Sequence, residues 1–354
     1  MTDEPTPASC GFSMPAEWEL HEATWLTWPH NPETWIGPSM EEVEAVYVQM
    51  ISALVPGESV HLIVKDETQQ QKAADLLKQN KVDLDKVRFF VLPTNDSWVR
   101  DYGPNFLTRE TDSGGTEIAA NLWHFDSWGK KYNYDLDSKV SETLTSRLKV
   151  RAFKPGIVLE GGSIEVNGQG TVLTTRQCLL SPNRNETPTI EMMERYLRDF
   201  LGVQTVVWLD GEITGDDTDG HIDNIARFTD SKNVVAVYEE NTRDPNHACL
   251  KKNLEALKSA RDQNGNGFNV TLLPTPGRVA YDDSPLPASY ANFYIGNQAI
   301  LLPVFGDPND AAARDILASL FTDREIVPVD GKVLVSGLGG PHCLTQQQPI
   351  EFDF

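Results

Sequence analysis

The sequence predicts an α/β protein. Amphipathic helical patterns alternate with short runs of β-branched and aromatic residues along most of the chain. Four of these helix–strand units lead into a polar or glycine-rich loop, and no linker or low-complexity stretch interrupts them. A single domain over 14–354 is therefore expected.

Taken in order, residues 1–13 are rich in Thr, Pro, Ser and acidic side chains and read as a disordered leader. Helical spacing of apolar residues marks 41–54 and 67–80, with strand composition at 59–64 and 87–92. The loop at 98–104 follows. Helix 137–149 and a short strand precede the loop at 158–162. Helix 188–201 has a start signal in Thr187-Pro188 and a stop in Leu201-Gly202; strand 204–209 then leads to the loop at 215–223. Strand 233–238, helix 246–263 and strands 268–273 and 299–305 come next. Helix 308–321 and strand 325–329 lead to the last loop, 336–343. If the units are related by rotation about an axis, these loops meet at its centre. No sequence identity links the units, so the regularity lies in their order alone.

The 354 residues are ample for a buried core. A net charge of −22 disfavours nucleic acid and anionic membranes and would draw cationic small molecules, although solubility alone also accounts for it. The four cysteines, at 10, 178, 249 and 343, show no Cys-x-x-Cys spacing and are too few for a disulfide framework. Met1 to Met14 is polar, without an apolar signal core, and no run reaches membrane-spanning length. The sequons at Asn95 and Asn185 then read as chance. A reducing, cytoplasmic setting is expected.

The loops carry the chemistry. In Trp98-Val99-Arg100-Asp101-Tyr102-Gly103-Pro104 an aromatic ring and a carboxylate form a natural cation receptor. The bland alternative is an Arg100–Asp101 surface pair. Leu159-Glu160-Gly161-Gly162-Ser163 sets a carboxylate before two glycines, as a cation ligand or an ordinary turn residue. Gly215 to Asn224 brings together Asp216, Asp217, Asp219, Asp223 and His221. Extended, that stretch would point His221 and Asp223 to one side. Carboxylates around a histidine favour its charged form, which suits proton transfer near neutral pH. A solvated acidic loop is the bland alternative. A metal site on His221, Asp217 and Asp223 is the sharper rival, although no second histidine stands at a familiar ligand spacing. Gly337-Leu338-Gly339-Gly340-Pro341-His342-Cys343 delivers a cysteine on a glycine-rich approach, which marks it as a nucleophile. Cys178 and Cys249 read as inert, and His342 need not be the base.

These motifs together resemble the agmatine deiminases, within the guanidine-modifying enzymes that also include arginine and peptidylarginine deiminases. The likeness runs from Met14-Pro15-Ala16-Glu17-Trp18-Glu19 and Trp25-Leu26-Thr27-Trp28-Pro29 to Cys343-Leu344-Thr345-Gln346-Gln347. Leu180-Ser181-Pro182-Asn183-Arg184-Asn185 adds to it. Two departures stand out: Leu338 interrupts a glycine triplet frequent in the family, and the region after Trp128-Gly129 is shorter than in plant members. The resemblance implies a five-bladed, pseudo-symmetric α/β propeller with its active site on the central axis. It makes Cys343 the nucleophile and His221 the general acid/base, supported by Glu160. Asp101 and Asp223 would grip the guanidinium, with Trp98 and Asp217 in the substrate pocket. The implied reaction, in polyamine biosynthesis, is deimination of agmatine to N-carbamoylputrescine and ammonia through an amidino-cysteine, with no cofactor and no metal. Homo-oligomerisation is left open. Arginine or peptidylarginine deimination is the close alternative. A metal-dependent hydrolase and a non-catalytic polyamine-binding protein are the distant ones.

Overall fold

A computed structural model describes residues 5–211 and 213–352. Among the described residues, five sheets share one plan. In four of them a first strand pairs antiparallel with a second, and the second pairs parallel with a third. The strands are Asn105–Glu110, Thr116–Asn121 and Arg151–Phe153; Ile164–Val166, Thr171–Thr175 and Thr205–Leu209; Ala226–Phe228, Asn233–Tyr238 and Asn269–Pro274; and Tyr294–Ile295, Ala299–Val304 and Glu325–Asp330. In the remaining sheet the first strand comes from the other end of the chain. Gln346–Pro349 pairs antiparallel with His21–Thr27, which pairs parallel with Ser59–Val64 and that in turn with Val87–Val91. A separate two-stranded hairpin joins Ala280–Tyr281 to Ser284–Pro285.

Each parallel step requires a crossover, and a helix occupies it. The helices are Met40–Leu54, Glu67–Gln79, Val140–Leu148, Ile190–Leu201, His247–Ser259 and Asn309–Leu320. Local chemistry fixes their ends. Ser39 and Glu42 form a reciprocal capping box, and Asp66 and Thr189 cap the next turns they precede. Gly202, at φ +69°, ends Ile190–Leu201 in the left-handed conformation that a glycine tolerates best. Met193, Leu197 and Leu201 recur every four residues along that helix and form its buried face.

The sequence-predicted helices and strands all recur, within a few residues. Helix 137–149 opens instead as a 3-10 turn at Asp137–Lys139. Helix 246–263 stops at Ser259 because Asp262 accepts the amides of Asn264 and Asn266 and closes a turn there. The leader behaves differently from expectation. Residues 1–4 lie outside the described residues, but Phe12 is fully buried, Ser13 bridges Thr108, and the Met14 amide donates to the Leu201 carbonyl. An apolar side chain inside an otherwise polar stretch is enough to hold it down.

One feature of the plan positions the site. Each first strand is entered from a loop: 98–103, 160–163, 215–224, 289–292 and 337–343. Four of these are the loops marked by the sequence. The fifth, Ser289–Asn292, is not among them.

Candidate active site

Gly162 lies at the meeting point. A Cβ placed there would come within 2.5 Å of His221 Nδ1, 2.9 Å of Asp101 Oδ1 and 3.1 Å of Asp223 Oδ2. Glycine is required because three loops press their functional side chains onto its backbone. The His221–Asp223 stretch is not extended as the sequence suggests, since Ile222–Asn224 is a 3-10 turn. Both side chains nonetheless reach the same point.

Cys343 is buried beside them. Its Sγ receives a hydrogen bond from Asn292 Nδ2 at 3.1 Å and lies 3.6 Å from Asp223 Oδ2. Burial pushes the thiol well above its usual range, and the Asp223 and Asp101 carboxylates push it further, against the Gly340 amide and Asn292. The approach loop packs on Trp98, so that a Cβ on Gly339 would meet its ring at 2.4 Å. Leu338 holds φ +72°, the left-handed conformation that a glycine would adopt there without strain. The interruption of the glycine run therefore leaves the loop shape intact.

His221 is buried, and both ring nitrogens lack a hydrogen-bond partner. Nδ1 lies 3.8 Å from Asp101 Oδ2, and Nε2 lies 3.8 Å from Glu160 Oε2. Burial opposes a charge on the ring, but Asp101, Cys178 and Glu160 outweigh it and hold its pKa well above the ordinary value. Glu160 is fully buried, and burial alone would raise its pKa. Arg184 and His221 bring it down to about 2 instead, with Arg184 Nε donating to both oxygens at 2.8 and 3.0 Å.

The other two carboxylates differ in their partners. Asp101 accepts the Gly162 amide at 2.8 Å and Trp128 Nε1 at 2.9 Å. Burial raises its pKa; His221 opposes that, and Asp223 and Glu160 add to it. Asp223 Oδ2 meets His342 Nδ1 at 2.8 Å, while Oδ1 has no partner. Burial would raise Asp223 too, yet His342, His221 and Arg227 hold it below the usual range. Arg100 does not form the surface pair considered as the bland alternative. It is buried and turns to Glu17 at 3.0 Å.

A cavity of about 630 Å³ reaches Asp101 and Cys343 and is lined by these two with Trp98 and Trp128 at its deep end. Asp217 lines it nearer the surface, held by Tyr132 Oη at 2.7 Å and paired with Lys131. The three metal ligands considered above are thus not brought together. Among the described residues, the only grouping tight enough for an ion is Glu160, Cys178 and His221. The Arg184 guanidinium already neutralises that carboxylate, so the donor set is a poor one for a cation.

Sequence reasoning misses Asn292 and Trp128. A signal for Asn292 exists in the order of elements, since the unit made of helix 246–263 and strand 268–273 lacks the marked loop that four other units supply. Trp128 gives none. Its indole reaches Asp101 through an unusual backbone, with Ser127, Trp128 and Lys130 all at positive φ.

This architecture, with a buried cysteine and an imidazole among carboxylates at the end of an acidic cavity, defines a class: α/β proteins equipped for thiol chemistry on a small cation. The chain belongs to the Porphyromonas-type peptidyl-arginine deiminase family, whose pattern matches residues 13–349. It is 36% identical to an agmatine deiminase of Pseudomonas putida over 370 aligned positions, covering 97% of each chain. The solved agmatine deiminase of Enterococcus faecalis is 31% identical with a TM-score of 0.87, covering 98% of each chain. An agmatine deiminase from C. jejuni, with substrate bound, is also 31% identical, with a TM-score of 0.85 over 97% of each chain.

Proposed function

We propose that the chain hydrolyses the guanidinium of agmatine to N-carbamoylputrescine and ammonia, through an amidino-cysteine on Cys343. The observation that carries this is the cavity. Its lining includes Glu33, Asp96 and Asp217 besides Asp101, with the pKa of Asp137 pushed up to about 8 by burial and that group so largely neutral, and no lysine or arginine among the described residues. A substrate that is cationic at both ends fits such walls, whereas the carboxylate of free arginine would meet like charge without a partner. The agmatine deiminases among its relatives support the same reading.

Each group has a task. Asp101 and Asp223 take the guanidinium nitrogens and fix its plane, with Asp223 Oδ1 free to do so. The bound cation offsets the carboxylates that hold Cys343 as a thiol, so ionisation is assisted by substrate and the thiol proton leaves to solvent. The thiolate attacks the central carbon, forming the C–S bond. His221, protonated and supported by Glu160, gives its proton to one nitrogen, and the C–N bond breaks to release ammonia. Water then attacks the amidino-cysteine while His221 takes a proton from it. The C–S bond breaks, and the ureido product leaves with the thiol restored. Trp98 walls the deep end and Asp217 the mouth.

The reading extends to the fold and setting. Five sheets of one plan, each entered through a loop at the site, support a five-bladed pseudo-symmetric propeller in a single catalytic domain over 14–354, with 5–13 packed onto it. Four cysteines without Cys-x-x-Cys spacing and a thiol nucleophile suit a reducing cytoplasm. No helix among the described residues is long and apolar enough to cross a membrane. The test is steady-state ammonia release on agmatine, arginine and an arginine-terminated peptide. Agmatine should be preferred, and a clear preference for either arginine substrate overturns the assignment.

A further inference from the structure

His342 sits behind the site with both ring nitrogens engaged by carboxylates. Nδ1 meets Asp223 Oδ2 and Nε2 meets Glu17 Oε2, each at 2.8 Å, and the ring is 1% exposed. A neutral imidazole has one N–H and one lone pair, so it could satisfy only one of two ionised carboxylates. Glu17 is certainly ionised, because Arg100 Nη2 and Arg227 Nη2 hold its two oxygens at 3.0 and 2.7 Å. Asp223 is the other acceptor of the ring among the described residues: the Oδ2 that His342 holds is the atom beside Gly162 and Cys343 Sγ, and Oδ1 stays unpartnered.

We propose that His342 is a positioning residue: as a doubly donating imidazolium anchored on Glu17, it holds Asp223 by Oδ2, leaves Oδ1 for substrate, and offsets the carboxylate that lies against the thiol. The N-terminal segment thereby joins the reaction through Glu17, although none of its residues from Met14 to Leu20 lines the cavity. Arg100 strengthens the link by donating Nε to the His342 carbonyl at 3.2 Å and receiving no competing pair from its neighbour Asp101. Asp223 is thus oriented by charge rather than by backbone. The proposal rests on the reading of Asp223 as a guanidinium ligand.

Two substitutions separate the arms. His342→Asn places an amide N–H where Nδ1 stood, and His342→Gln places one where Nε2 stood. Both remove the charge, but only the asparagine keeps a donor for Asp223. With agmatine, His342→Gln should lose at least about tenfold more kcat/KM than His342→Asn, with the extra loss in KM as well as kcat. Alkylation of Cys343 by iodoacetamide, followed by mass spectrometry at fixed pH, should slow in both variants, since the Asp223 carboxylate 3.6 Å from Sγ is no longer offset by the charged ring behind it. That readout needs no turnover, so it stays informative if agmatine proves not to be the substrate. Equal kcat/KM losses in the two variants, or unchanged alkylation in both, overturn the proposal. Should neither variant fold, nitrogen-15 spectra of the wild type decide: both ring nitrogens of His342 protonated support it, and a single protonated nitrogen overturns it.

Discussion

The two sides of Asp223 are built on opposite rules. On one side, Asp223 Oδ1 and both nitrogens of His221 are buried with no hydrogen-bond partner. Behind, Glu17 receives Arg100, Arg227, His342 and the Ile295 amide, and Glu165 receives Arg227 and the Phe228 amide. Unsatisfied buried polar groups cost stability, so their concentration on one side marks where a ligand supplies what the protein withholds. Satisfied ones on the other side give that ligand a rigid wall. The front is unfinished and the back is complete.

The sharpest break of the front alone is Cys343→Ser. The hydroxyl fits the same space but is a far weaker nucleophile, so turnover should fall by at least roughly a thousandfold while agmatine still binds and the fold melts normally. Mass spectrometry of the wild type with a slow substrate should place an amidino adduct on the peptide carrying Cys343. An adduct on Cys178 or Cys249 contradicts the assignment.

The back breaks differently. Arg227→Met leaves Glu17 and Glu165 without their shared guanidinium, in a place where Arg227 is fully buried. Stranding buried carboxylates costs about 3–5 kcal/mol, which urea unfolding would report directly. A loss below about 1 kcal/mol would mean that this wall is wet and that the contrast drawn above is false.

Asp101→Asn and Asp223→Asn test where the two sides touch. Each removes a charge that offsets a permanent cation, and a charge-assisted hydrogen bond is worth about 1.5–3 kcal/mol, so each should cost at least roughly tenfold in kcat/KM. Their stabilities should diverge. Both oxygens of Asp101 accept N–H donors, so an amide there must turn its own N–H₂ toward one of them. Asp223 has a free oxygen and can place the N–H₂ on the empty side. Near-normal kcat/KM in both variants would leave the site without its clamp.

How far the sequence reveals these two sides follows from what sets each one. Crossover helices and most parallel strands are legible because burial imposes a period on them, as in Ser59–Val64 and Asn233–Tyr238, whose bounds match the sequence reading, whereas His21–Thr27, Thr116–Asn121 and Thr171–Thr175 escape it. The short first strands are not. Gln346–Pro349 is a polar run that is buried as a strand because Trp25 Nε1 donates to Gln348 Oε1 and the chain pairs with His21–Thr27. The front of the site is legible as reactive side chains in glycine-rich loops. The back is not, because Glu17, Arg227 and His342 lie far apart in sequence and take their meaning from pairing in space. Arg100, beside Asp101 in sequence, turns the other way. No local rule gives that.

The mouth of the cavity should respond least. Tyr132 is about half exposed, donates its hydroxyl to Asp217 at 2.7 Å, and has its pKa pushed up to about 12 by burial and by that carboxylate. Lys131 pairs with Asp217 and Asp219 beside it, and all of these side chains remain partly open to water. Exposed contacts of this kind are worth about 1 kcal/mol or less, since solvent and salt screen them. Tyr132→Phe removes one such bond and releases Asp217 to turn toward an incoming cation. KM for agmatine should therefore move by no more than about threefold, with kcat and the melting temperature unchanged within error. Asp217→Asn should raise KM by a similar or slightly larger factor, more strongly at low ionic strength, again without touching kcat. Steady-state kinetics at two salt concentrations checks both. A tenfold fall in kcat for Tyr132→Phe would mean that the mouth is coupled to the chemistry, and that the unfinished front extends from Cys343 to the surface.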